Sequence, residues 1–109
     1  MLVRNDYLSL DPYMRGMMSD RDSYAPPIGL GETMVGLTVG QILVSQADGF
    51  AAGDWVVARG GWQDYALVDA AMTWRLDPDM AQKSLAIGVL GMPGLTAWAG
   101  LMQIGKPKA

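Results

Sequence analysis

GFAAGDWVVARGGWQDYAL, residues 49–67, alternates short apolar runs with glycine-marked breaks. Gly49 and Gly53-Asp54 punctuate a turn, and Trp55 to Ala58 resumes as a strand. Gly60-Gly61 turns the chain again, and WQDYALVD, residues 62–69, reads as the next strand. Short strands joined by glycine turns at close spacing point to a small barrel or sandwich.

Working outward, Met34 to Ser45 is rich in Val, Ile and Leu and holds Gly36 and Gly40. Glycine inside a strand marks a bulge or a sharp bend, as at barrel corners. Leu2 to Leu10 mixes apolar and polar residues as a half-buried strand does. DPYMRGMM then predicts a short helix, with Asp11 as its cap and Pro12 in its first turn. Asp20 to Gly31 carries Pro26, Pro27 and two glycines and reads as a loop long enough to be functional or mobile. Beyond the strands, DPDMAQKSLAIGVLG, residues 77–91, predicts a helical region with Asp77 as N-cap and Pro78 at its first position.

The 109 residues suit one domain, and 50% hydrophobic content with abundant glycine is globular composition. There is no cysteine and no histidine, so the commonest transition-metal ligands and the usual general base are missing. A net charge of −3 with scattered lysines and arginines offers no basic face for nucleic acid. Arg4 and Asp6 interrupt any apolar run in residues 1–15, so the expectation is that this stretch does not act as a signal peptide.

LAIGVLGMPGLTAWAGLMQI, residues 85–104, is uncharged and long enough to cross a bilayer. One continuous helix would have to pass Gly91, Pro93 and Gly94, at about 3 kcal/mol for proline and about 1 for each glycine in water. Two shorter helices fit better, the first ending near Gly91 and the second starting with Pro93 in its first turn. Each is too short to span, so the expectation is a buried helix pair and no membrane partner.

The stretch GLGETMVG, residues 29–36, fails as a dinucleotide loop because its third glycine is late and YAPPI before it is no strand. The carboxylate pairs Asp20/Asp22 and Asp77/Asp79 are better explained by capping and solvation than by acid–base work. Without histidine, the usual serine triad is unavailable. Tyr13 remains a candidate acid, because a tyrosine hydroxyl can stabilise charge growing on a carbonyl oxygen; packing with a wet hydroxyl is the plainer alternative. Thr96 could present a hydroxyl to a ligand or bond its own helix backbone.

YLSLDPYMRG (residues 7–16), GFAAGDWVVARGGWQDYAL (49–67) and GVLGMPGLTAWAGL (88–101) together resemble the zinc-independent medium-chain dehydrogenases/reductases, in the alkenal double-bond reductase branch that includes the prostaglandin and curcumin reductases. The resemblance covers nearly the whole chain. It implies a mainly β, α+β fold: a GroES-like, partly open β-barrel with short helices over residues 1–109, incomplete at its N-terminus, and cut at the junction to a Rossmann domain, with junction helices at 85–104. Gly36-Leu37-Thr38 stands where zinc-containing relatives carry Gly-His-Glu, which implies metal-free chemistry. The implied activity of the parent is NADP(H)-dependent hydride transfer to the C=C bond of α,β-unsaturated ketones and aldehydes.

By the same resemblance, Tyr13 is the catalytic residue in the substrate pocket, Thr96 lies near the nicotinamide, and Met92, Pro93 and Gly94 wall the cofactor cleft. A further tyrosine belongs to the absent part. The expectation is a cytoplasmic homo-oligomer acting on a small-molecule enone. The isolated chain is expected to be inactive and not to bind NADP(H) tightly, since the phosphate-binding half is missing. The alternatives are a quinone reductase, a self-associating, non-enzymatic interaction module, and membrane insertion.

Overall fold

The computed structural model describes residues 1–20 and 25–108. Asp22 of the Asp20/Asp22 pair, and the part of the Asp20–Gly31 loop around it, lie outside the described residues. Five antiparallel strands form one sheet: β1 (Leu2–Leu8), β2 (Thr38–Val44), β3 (Trp55–Ala58), β4 (Tyr65–Leu67) and β5 (Trp74–Arg75), in the order β4-β1-β2-β3-β5. β4 and β5 are the two edges and do not pair with one another, so the β structure is partly open. The fold is mainly β with short helices.

The centre of the sheet is covered on both faces. Val3, Ile42 and Val56 pack with Phe50 and Val68 in one cluster, and Val39, Val57 and Ile87 pack with Leu37, Trp55 and Leu76 in the other. That is why β3 reads as a continuous apolar run rather than as an alternating one. Each such side chain contributes about 1.5–3 kcal/mol when buried.

Gly40 is the glycine that decides the register. A Cβ there would lie 2.7 Å from Val3 Cγ1 and closer still to the carbonyl oxygen of Arg4. Beside it β1 is bulged: Asn5 pairs with Gly40 and Tyr7 with Val39, leaving Asp6 as the extra residue. The glycine-in-strand signal therefore marks a bulge, and the bulge is on the facing strand.

The turn reading of residues 49–61 agrees with the structure: Gly49, Gly53 and Gly61 have φ of 80°, 93° and 70°. Downstream of the first three strands the outcome differs. WQDYALVD is a strand only over Tyr65–Leu67, because Asn5 Nδ2 donates to the Gln63 carbonyl at 2.8 Å and holds residues 62–64 in a bend. β5 has no strong signal in the sequence; Leu76 N–H to the Trp55 carbonyl at 2.8 Å extends its pairing.

The helical region expected over residues 77–91 is a 3-10 turn at Lys83–Ile87. Asp77 does accept from the Asp79 N–H at 2.8 Å, but this closes a local turn instead of starting an α-helix. Lys83 then donates to the Pro78 carbonyl at 2.9 Å and to the Met80 carbonyl, and its ammonium lies 5.9 Å from the Trp55 ring. These contacts tie the turn back onto its own loop and onto the sheet.

The second helix of the pair is present as α2 (Met92–Ala99), with Gly91 as N-cap and proline in its first turn. It passes into a π-helical stretch at Gly100–Gly105. No residue of α2 or of that stretch is buried, so the expected buried pair is instead an exposed apolar arm. Among the described residues, no helix is long and apolar enough to cross a membrane.

Candidate functional site

A cleft of about 620 Å³ opens between the first helix, α1 (Tyr13–Met17), the chain leading into β2, and the turn after β3. Pro12, with φ −55°, starts α1, and Met14 and Met17 are the buried residues that anchor it. Asp11 is not a side-chain cap; its carboxylate accepts from the Ser9 hydroxyl at 2.9 Å. This anchoring leaves Tyr13, half-buried, on the cleft wall.

The floor is made by two crossing segments. Gly61 N–H donates to the Gly36 carbonyl at 3.1 Å and Trp62 N–H to the Met34 carbonyl at 2.8 Å. Gly61 needs to be glycine twice over: its φ is positive, and a Cβ would meet the Met34 carbonyl oxygen at 2.8 Å. Met17, Val35, Leu37 and Met92 give the cleft apolar surface, while Asp11, Tyr13, Arg59 and Gln63 supply polar groups.

Of the residues proposed from the sequence, Tyr13 and Met92 line this cleft together. Pro93 and Thr96 are exposed further along α2 and do not reach it. Gly94 has a packing reason of its own: a Cβ there would sit 2.5 Å from the Val89 carbonyl carbon, with the oxygen nearer. Arg59, Gln63 and Leu37 were not singled out as cleft residues by motif reasoning. The one available signal was the arginine set directly before Gly60-Gly61 in the turn after a strand.

The glycine-rich stretch 29–36 is irregular chain leading to β2, and Gly29 N–H donates to the Glu32 carboxylate at 2.9 Å. A carboxylate closing the loop is unsuited to cradling a phosphate. Among the described residues no group of three His, Cys, Asp or Glu side chains could hold a metal ion.

Residues 1–76 match the family model described as the N-terminal domain of oxidoreductase. The chain belongs to this family. It is 49% identical to the NADPH-dependent curcumin reductase of Escherichia coli over 98% of its own length and 31% of the relative's. It is 36% identical to a 2-alkenal reductase (NADP(+)-dependent) of Nicotiana tabacum over 98% of its length and 32% of the relative's. The crystal structure of CurA from Vibrio vulnificus in complex with NADPH superposes with a TM-score of 0.88 at 51% identity, covering 99% of this chain and 32% of that one. The chain thus spans about a third of the length of the curated relatives it matches. The cofactor dependence and reductase activity in their names belong to proteins three times as long.

Proposed function

We propose that this domain is the substrate-binding half of an NADP(H)-dependent, metal-free reductase of α,β-unsaturated ketones and aldehydes. The observation that carries the reading is one cleft that joins the Tyr13 side chain to Met92 at the start of α2. NADPH, when bound, would supply the hydride to the β-carbon of the enone, and a proton taken up from solvent at the α-carbon would complete the reduction. Met92 would wall the nicotinamide, with Pro93, Gly94 and Thr96 behind it on α2.

Tyr13 donates a hydrogen bond to the substrate carbonyl oxygen, where negative charge grows as the C=C electrons shift. The cleft's apolar lining of Met17, Leu37 and Met92 keeps water from competing for that oxygen. Leu37, at the position where zinc-containing relatives carry histidine, adds apolar wall instead of a ligand, which supports stabilisation by hydrogen bonding alone. The stretch 29–36 offers no phosphate cradle, so this domain contributes the nicotinamide end of the site and leaves the phosphates to a second domain.

The test is a chimera in which residues 1–109 replace the matching segment of the Escherichia coli relative. It should consume NADPH with an α,β-unsaturated ketone, and Tyr13→Phe should lower kcat by about 10²-fold with KM little changed. NADPH binding by the chimera checks its folding. A folded chimera that ignores enones, or one in which Tyr13→Phe keeps full kcat, refutes the proposal.

A further inference from the structure

Arg59 and Asp11 are the charged groups of the cleft, and hydride transfer leaves Arg59 without a task. Its position is fixed from both sides. Ala58 before it is buried and accepts the Thr38 hydroxyl at 3.3 Å. Gly60 after it is buried so tightly that a Cβ would lie 2.6 Å from the Asn5 amide and nearer still to Thr38 Oγ1. The backbone that presents the arginine is therefore a rigid part of the sheet's end, although the side chain itself is exposed.

The other described arginines are engaged. Arg4 pairs with Asp6 at 3.3 Å, Arg75 with Asp54 at 3.5 Å and the Gly49 carbonyl at 3.1 Å, and Arg15 donates to Ser19 at 2.8 Å. Arg59 has neither an ion pair nor a hydrogen bond among the described residues. The carboxylate that shares the cleft, Asp11, is held by Ser9 and forms no ion pair with it. A guanidinium on a largely apolar cleft, with its donors unspent among the described residues, suits a planar anion.

We infer that Arg59 is a specificity-determining residue that selects enones carrying a carboxylate away from the reacting double bond. This rests on the enone reading of the cleft. The pairing is exposed, so its worth is bounded: solvent-exposed ion pairs contribute at most about fivefold in affinity. Salt screens it, since the Debye length falls to about 3 Å at 1 M.

The test uses the chimera described above and two probes of one shape, para-carboxybenzalacetone and its methyl ester, titrated by NMR. The carboxylate should bind about two- to fivefold tighter than the ester, and the preference should disappear at about 1 M salt. In Arg59→Gln the ester should bind as before and the preference should vanish; Arg59→Lys should keep part of it. The amide spectrum of each variant shows that the fold is unchanged. Equal binding of the two probes, or a preference that survives in Arg59→Gln, overturns the inference and leaves the enone reading standing. Binding of neither probe removes the enone reading and the inference with it.

Discussion

Gly94 separates a cofactor role from a packing role, because its cost can be read without any cofactor. A Cβ at this position would stand 2.5 Å from the carbonyl carbon of Val89 and 3.0 Å from its Cα. Favourable carbon–carbon contact begins near about 3.5 Å, so α2 would have to lift away from the preceding turn by roughly an ångström or more. Backbone cannot swing aside as a side-chain tip can, so overpacking here costs about 1–3 kcal/mol. Alanine's better helix propensity returns about 1 kcal/mol. The net is a local loss of about 1 kcal/mol, with up to about 2 at the tight end.

The loss falls on α2, which buries no residue, and so should not spread to the sheet. Hydrogen exchange of the amides from Leu95 to Ala99 in Gly94→Ala should speed up by about fivefold or more, while the β2 amides keep their protection. Gly100→Ala is the control. No atom lies within 4 Å of a Cβ there and its φ is −59°, so it should slow exchange in the same helix by a few-fold, following the propensity gain of about 1 kcal/mol. Unchanged or slower exchange of α2 in Gly94→Ala refutes the packing explanation and returns Gly94 to the cofactor.

Gly40→Ala should lower global stability by about 3 kcal/mol or more, since the new methyl meets backbone of β1 in the centre of the sheet; a urea midpoint within error of the parent's would contradict this. NADPH titrated into the isolated chain should give no saturable fluorescence change up to about millimolar concentration, because stretch 29–36 closes on Glu32; micromolar binding would overturn the division of the site between two domains. The exposed apolar arm, with Leu95, Trp98 and Ile104 at 65%, 56% and 84% exposure, should drive self-association. Light scattering should show a concentration-dependent mass that Trp98→Ser and Ile104→Asp reduce, and a monomer at high concentration would count against it.

What was legible in the sequence and what was not divide along a physical line. Gly49, Gly53 and Gly61 announce their turns because positive φ is a property of the residue itself, and the strand between them follows from its apolar run. Pro12 and Pro93 likewise mark helix starts within a residue of where they occur. The failures lie where partners far along the chain decide. Residues 62–64 have strand-like composition, yet the Asn5 amide bonds the Gln63 carbonyl from 58 positions away and bends them. Residues 77–91 have a cap and a proline in good order, but they form a 3-10 turn in which the Lys83 ammonium lies 5.9 Å from the ring of Trp55, a residue of β3.

The cleft shows the same division one level up. Tyr13 could be nominated from chemistry, because a tyrosine after Asp-Pro starts a helix and has few other uses for its hydroxyl. Arg59 could not, since an arginine after a strand is ordinarily a solvated charge. It becomes a candidate only when Gly61 pairs with Gly36 and carries the turn across to α1. The glycines therefore do more than allow turns: by letting Gly60 pack against Asn5 and Thr38, they bring a cation to the cleft that Tyr13 also lines. Substituting either glycine should disturb substrate selection and stability together, whereas Arg59→Gln should disturb selection alone.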